Sequence, residues 1–171
     1  MPEKIDDAVT KIERLLRHVA FIIKKRGRDI LVDFGITAPQ FNALLVLRDN
    51  PNITMGDLCE RLFLACSTAT DLIDRMEKNG LLERSRDKQD RRVIRLSISD
   101  KGRSVISEVI EARRRYVASI LEKLTAEEIE QLANSLDKLH SLMVSERVSK
   151  ECLSSISSFF WLESLMSAFP P

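Results

Sequence analysis

The feature that most restricts the fold is a change of period between Ala69 and Ser99. Apolar residues first fall at helical spacing, at Ala69, Leu72, Ile73 and Met76. Asn79-Gly80 then ends the helix, because a residue that tolerates a left-handed backbone closes a helix C-terminus. Leu81 to Arg86 is short and extendable, and Asp87-Lys-Gln-Asp90 is a polar turn. From Arg91 to Ser99 the pattern alternates, with Ile94, Leu96 and Ile98 on one face and Val93, Arg95 and Ser97 on the other. Alternation marks a half-buried strand, so a two-stranded hairpin is expected directly after a helix.

Helices flank this unit. From Ile5 to Phe34 the apolar stripe Ile5, Val9, Ile12, Leu16, Val19, Ile23, Ile30 and Phe34 predicts a long amphipathic helix, loosened near Gly27 and ended by Gly35. Thr37 offers an N-cap and Pro39 sits in the tolerated first turn of a second helix through Phe41, Leu44, Leu45 and Leu47. Asp49-Asn50-Pro51-Asn52 breaks it. Thr54-Met-Gly-Asp57 reads as a capping box, with Asp in place of Glu, for a short helix from Met55 to about Leu62. After a tight turn a helix runs from about Cys66 to Lys78. Ser99 caps a long helix from Asp100 to about Leu124, and the box Thr125-Ala-Glu-Glu128 opens a last one. The expected fold is mainly α with a small β-hairpin. It divides into an N-terminal helix (1–34), a central region (35–99), C-terminal helices (100–148) and an apolar tail (149–171).

Composition narrows the function classes. With 44% hydrophobic and 31% charged residues the chain can bury a core, which excludes disorder for its bulk. Between Arg75 and Arg103 ten Lys or Arg stand against five acids, although the whole chain carries only +1. A basic island in an otherwise acidic chain is the footprint of an anion-binding surface. Cys59, Cys66 and Cys152 are too few, and odd in number, for a disulfide framework, which fits a reducing setting. With no signal-like opening and no membrane-length apolar run, a cytoplasmic protein without membrane attachment is expected.

A short helix, a tight turn and a second helix running into a basic hairpin are, in order, the parts of a winged helix-turn-helix. A helix fits the major groove of B-DNA with its first residues facing base edges. Here those are Ser67, Thr68 and Thr70, while the hairpin tip carries Lys88, Arg91 and Arg92 within reach of backbone or minor groove. Residues 36 to 103 resemble the MarR family of bacterial regulators. The resemblance rests on Ile36-Thr-Ala-Pro-Gln-Phe41, Leu58-Cys-Glu-Arg-Leu62, Ser67-Thr-Ala-Thr70, Leu72-Ile-Asp-Arg-Met-Glu-Lys-Asn-Gly-Leu-Leu-Glu-Arg84, Asp87-Lys-Gln-Asp-Arg-Arg92 and Leu96-Ser-Ile-Ser-Asp-Lys-Gly102. With flanking helices it covers about Ile5 to Val148. It implies a homodimer held by the first and last two helices, bound to double-stranded DNA. Cys66 to Lys78 would be the recognition helix and Asp87 to Arg92 the wing tip. Arg91 would lie at the minor groove, Arg75 near a phosphate, and Asp90 and Arg92 would shape the tip. Arg84 and Arg86 complete the expected DNA-facing set. The resemblance also implies repression relieved by a small aromatic effector or an oxidant.

The chain departs from the family pattern at Phe63, where Gly is usual, at Ala65 in place of a Ser N-cap, and at Cys66, often Pro. Losing a side-chain cap costs about 1 kcal/mol. Asp71 stands where a basic or neutral residue is common. It would oppose phosphate, accept from a cytosine amine, or pair with Arg75 one turn on. Cys66, at a helix N-terminus, is a redox candidate, because that position favours the thiolate; Cys59 reads as core. His18 and His140 lack the neighbours of a metal site, and no cofactor is expected. No phosphate loop, HExxH or nucleophile set is present, so no enzyme is expected. Two rivals remain: a protein-interaction module that has lost DNA binding, with Asp71 as its sign, and a ligand carrier or enzyme using the space between the long helices. The tail from Glu151 to Pro171 carries Phe159, Phe160, Trp161 and Leu162 among serines, without Lys or Arg, and is expected to pack against another surface.

Overall fold

The computed structural model describes residues 3–87 and 89–151, with side chains placed for 5–87 and 89–145. Lys88 and the apolar tail from Cys152 onward lie outside the described residues. The chain divides into two compact units, residues 1–113 and 114–171. Its elements are α1 (Glu3–Asp33), α2 (Ala38–Asp49), β1 (Ile53–Thr54), α3 (Met55–Arg61), α4 (Cys66–Lys78), β2 (Leu82–Arg86), β3 (Ile94–Ile98), α5 (Asp100–Leu121) and α6 (Ala126–Glu151). The result is a mainly helical protein with one small antiparallel sheet, as the periodicity predicts.

In the first unit, α1 is one unbroken helix through Gly27, not loosened there. A Cβ at Gly27 would meet only the tip of the Arg113 side chain, at 3.7 Å, so the glycine marks a close neighbour rather than a break. Three helices of this unit end in the same way. Gly35 and Gly80 take left-handed backbone (φ 66° and 71°), and the next amide returns to the carbonyl five residues back: Ile36 to Leu31 at 3.1 Å, Leu81 to Met76 at 2.9 Å. At the end of α3 that position is filled by Phe63, with φ 51°, and Leu64 N–H reaches the Cys59 carbonyl at 3.1 Å. A side chain there carries about 1–2 kcal/mol of strain that glycine would not.

N-termini follow the capping chemistry in the sequence. Thr37 and Gln40 form a reciprocal box at α2, and Thr54 Oγ1 accepts from Asp57 N–H at 3.2 Å. Ser99 Oγ accepts from Gly102 N–H at 3.0 Å and donates to the Gly80 carbonyl at 2.6 Å, fastening the start of α5 to the end of α4.

The hairpin expected from alternation is part of a three-stranded sheet in the order β1-β3-β2. β3 pairs with β2 from Leu82↔Ile98 to Arg86↔Ile94, and on its other edge with the two residues of β1, Ile53↔Leu96 and Thr54↔Arg95. Leu96 and Ile98 are buried, whereas Ile94, beside the tip, is exposed. Phe41, Leu44 and Leu47 of α2, Leu58 of α3, Ile73 and Met76 of α4, Leu82, Leu96 and Val109 make one core. Burying each such side chain stabilises by about 1.5–3 kcal/mol. The core holds α4 and the sheet against one scaffold, which sets where the exposed residues of α4 point.

In the second unit α5 stops at Leu121, one turn earlier than its apolar pattern suggests. Thr125 and Glu128 form the expected box: Glu128 N–H donates to Thr125 Oγ1 at 3.2 Å, and Thr125 N–H to Glu128 Oε2 at 2.8 Å. The Thr125 amide holds the Glu128 carboxyl below the usual range. Among the described residues no single helix is long and apolar enough to cross a membrane.

Candidate nucleic-acid interface

α4 buries Ala69, Ile73 and Met76, which forces the intervening positions outward. Ser67, Thr68, Thr70, Asp71 and Arg75 are therefore all exposed on one helix. The Thr70 hydroxyl donates to the Cys66 carbonyl at 2.8 Å, which leaves its lone pairs free to accept. Ala65 at the N-cap supplies no side-chain hydrogen bond. The first amides of α4 are thus open to an acceptor such as a phosphate oxygen. Asp71 and Arg75 do not form an ion pair with each other, so Asp71 presents an uncompensated carboxylate beside the serine and threonines.

Arg84 behaves differently from its neighbours. It is half-buried, with its guanidinium 2.5 Å from Asp74 and 3.5 Å from Glu77. This arginine ties β2 to α4 and helps fix the angle between that helix and the sheet. Arg86, Arg91 and Arg92 remain exposed at and beside the tip.

The tip is organised by Asp87, which the sequence offers only as a turn residue. Its carboxylate accepts the amides of Gln89 at 2.7 Å and Asp90 at 3.1 Å, and pairs with the Arg95 guanidinium. That arginine, through Nη1, also donates to the Asn52 carbonyl at 2.9 Å, linking the tip to the β1 loop. The Arg95 hydrogen bond, with the two amides, pulls the Asp87 carboxyl down to about 2. Asp90 contributes as expected, accepting Arg92 N–H at 2.9 Å. The unit thus exposes two sets of donors and cations: a polar helix face on α4, and an arginine tip on the hairpin that Asp87 and Arg95 hold in shape. The signals missed in the sequence are long-range ones, since Asp87, Arg95 and Asn52 meet only once β1 joins the sheet. Among the described residues no group of three or more His, Cys, Asp or Glu is placed to hold a metal.

Comparison with known proteins agrees with this arrangement. The MarR family model matches residues 36–94. The HTH-type transcriptional regulator YsmB of Bacillus subtilis (strain 168) is 46% identical over 143 residues, which is 84% of this chain and 98% of that protein. MdtR, an HTH-type transcriptional repressor of the same organism, is 34% identical over 105 residues, 61% of this chain and 68% of MdtR. Among solved structures, a MarR family protein from Bacillus stearothermophilus superposes with a TM-score of 0.69 at 45% identity, covering 81% of this chain and 97% of that one. YsmB and MdtR are helix-turn-helix transcriptional regulators, and the family model, the near-complete coverage of YsmB and the Bacillus stearothermophilus structure leave one assignment: the chain belongs to the MarR family of helix-turn-helix transcriptional regulators.

Proposed function

We propose that the chain is a homodimeric repressor that reads a pseudo-palindromic operator. The observation that carries this reading is the exposed polar face of α4 together with an exposed arginine tip held in shape by Asp87 and Arg95. Ser67, Thr68 and Thr70 supply base or phosphate contacts, with Asp71 selecting against some bases or accepting from cytosine. Arg75, Arg86, Lys88, Arg91 and Arg92 supply salt-dependent affinity. Arg84 contributes by positioning α4, given its partners Asp74 and Glu77.

Dimerisation runs through the terminal helices. Ile5, Val9, Ile12, Leu16 and Val19 recur at helical spacing on α1 and are all exposed. Leu132, Leu136, Leu142 and Met143 are likewise exposed on α6. Apolar rows of that length in water call for a partner, and a second copy offers a complementary one. Two-fold symmetry then sets half-sites about one DNA turn, roughly 10 base pairs, apart. Repression is supported by the likeness to MdtR, and release by a small aromatic ligand or oxidation follows the family resemblance. A regulator of this kind acts in the cytoplasm.

Fluorescence anisotropy on DNA from the gene's own upstream region, titrated with salt against a scrambled duplex, tests the proposal. Selective binding that falls steeply with salt is expected. Failure to bind any duplex at low salt would refute it and favour an interaction module, for which the exposed Asp71 is the supporting observation.

A further inference from the structure

A second basic island stands on α1, far along the chain from the hairpin. Between Lys11 and Arg28 seven Lys or Arg stand against a single acid, Glu13. Arg14, Phe21, Lys25, Arg28 and Val32 follow at intervals of seven, four, three and four residues, so they share one helix face, with Lys24 beside them. That face lies across the helix from the apolar row of Ile5 to Val19, so a partner on the row leaves the basic face open. Arg14, Lys24, Lys25 and Arg28 are all exposed. Arg17 is neutralised by Glu13 at 3.0 Å, whereas these four form no ion pair among the described residues. Lys24 and Lys25 stand four and three residues from Arg28, a spacing at which like charges destabilise a helix. Packing does not account for them, because α1 joins the core of its unit only at Ile30 and Leu31. A row of unneutralised cations on one face concentrates a field that draws an anion.

We propose that this strip is a second DNA-binding surface, which takes the phosphate backbone of the duplex flanking the operator, whatever its sequence. The choice of partner rests on the proposed operator binding; the unneutralised strip does not. Arg14 and Arg28 are about 21 Å apart along the helix axis, the rise of about six base pairs, so the strip can follow a stretch of backbone. Lysine and arginine heads on long stems meet phosphates without reading a base, which makes the contact independent of sequence. A duplex held at α4 and the wing tip is present at high local concentration for every other cation of the molecule, which favours it over a free polyanion. A lipid surface fits less well. Phe21 and Val32, the apolar residues of this face, lie about 16 Å apart, too sparse for the continuous apolar face that seats a helix in a membrane.

The test compares the full chain with a variant carrying Arg14→Gln, Lys24→Gln, Lys25→Gln and Arg28→Gln, since glutamine keeps the helix and removes the charge. Salt titrations use an upstream duplex of about 60 base pairs and the same duplex trimmed to a core of about 20, enough for two half-sites. On the long duplex the slope of log affinity against log salt should be shallower for the variant by about 3 for each strip engaged, at about 0.9 per phosphate lost. On the trimmed core the two proteins should give equal slopes, and the preference for operator over scrambled DNA should be unchanged. A charge-keeping variant, with Arg14→Lys, Lys24→Arg, Lys25→Arg and Arg28→Lys, should retain the full slope and so separates lost charge from disturbed folding. A difference below about 1 on the long duplex, less than one phosphate and its counterions, would overturn the proposal. An equal difference on the trimmed core would overturn the flanking contact. Lost binding to phosphatidylglycerol vesicles with unchanged DNA slopes would assign the strip to lipid instead. Absence of any operator preference would count against operator binding, while the same comparison on a scrambled long duplex would still decide whether the strip binds DNA.

Discussion

Replacing Gly102 by alanine should destabilise the protein by about 2–3 kcal/mol, although alanine is the better helix former. Gly102 lies in the first turn of α5, where Ser99 caps the helix. A Cβ built there would lie 2.2 Å from the Leu81 carbonyl oxygen, 2.8 Å from Ile98 Cγ1 and 3.1 Å from Leu44 Cδ2. The first of these is backbone and cannot rotate away, so α5 must move off the sheet by about 1 Å to reach ordinary contact. That carbonyl accepts Ser99 N–H at 3.2 Å, and Ser99 Oγ holds Gly80, so the shift strains two hydrogen bonds as well as the core. Overpacking of this kind costs about 1–3 kcal/mol, and each weakened hydrogen bond about 0.5–1.5 kcal/mol. The helix-propensity gain of at most about 1 kcal/mol offsets only part of this. Gly56→Ala is the control, because its Cβ would meet nothing nearer than Thr54 Oγ1 at 3.9 Å. Urea denaturation at one fixed protein concentration should give a lower midpoint with an unchanged slope for Gly102→Ala, and no loss for Gly56→Ala. If the two variants were equally stable, the close approach of α5 to Leu81 would be refuted.

Other substitutions probe the interface. Arg91→Ala should weaken binding on operator and scrambled duplex alike and reduce the salt slope by about 1, read by anisotropy; an unchanged slope would remove Arg91 from the phosphate contacts. Asp87→Asn should keep an acceptor for the Gln89 and Asp90 amides but lose the ionic link to Arg95, so those amides should exchange faster with solvent. Because the Asp87 carboxyl is depressed in the folded protein to about 2, its contribution is complete above its ordinary pKa of about 4 and is lost as pH falls toward 2. Amide exchange at Gln89 and Asp90 should therefore be flat from neutral pH down to about 4 once corrected for intrinsic rates. Ala65→Ser should add the missing cap to α4 and stabilise by about 1 kcal/mol in thermal melts.

Elements governed by local chemistry were legible in the sequence. The α4 helix begins at Cys66 and ends at Lys78, as its buried stripe and Asn79-Gly80 indicate. The box at Thr125 is a single-turn interaction and forms in full; at Thr54 the hydroxyl accepts Asp57 N–H as expected, but the shorter Asp57 carboxylate takes that hydroxyl rather than the Thr54 amide, so only half of the box forms. What escaped depends on partners far along the chain. β1 has two residues and no period of its own, and it exists because Ile53 and Thr54 pair with Leu96 and Arg95. Gly27 reads as a weak point until Arg113 is seen beside it. Arg84 reads as one more DNA-facing cation, yet Asp74 and Glu77, one helical turn apart, hold it. Phe63 was visible as a departure from glycine, but its left-handed backbone shows only in three dimensions.

The frame of the wing and its tip should answer ionic strength separately. The Asp87 side chain is 14% exposed and in direct contact with Arg95, so little mobile salt can enter between them. Arg91 and Arg92 stand in open solvent, where the screening length shrinks from about 10 Å at 0.1 M salt to about 3 Å at 1 M. Concentrated salt would then strip the protein from its polyanion while leaving the hairpin folded. On dilution the tip would re-engage at once, with no refolding step before rebinding.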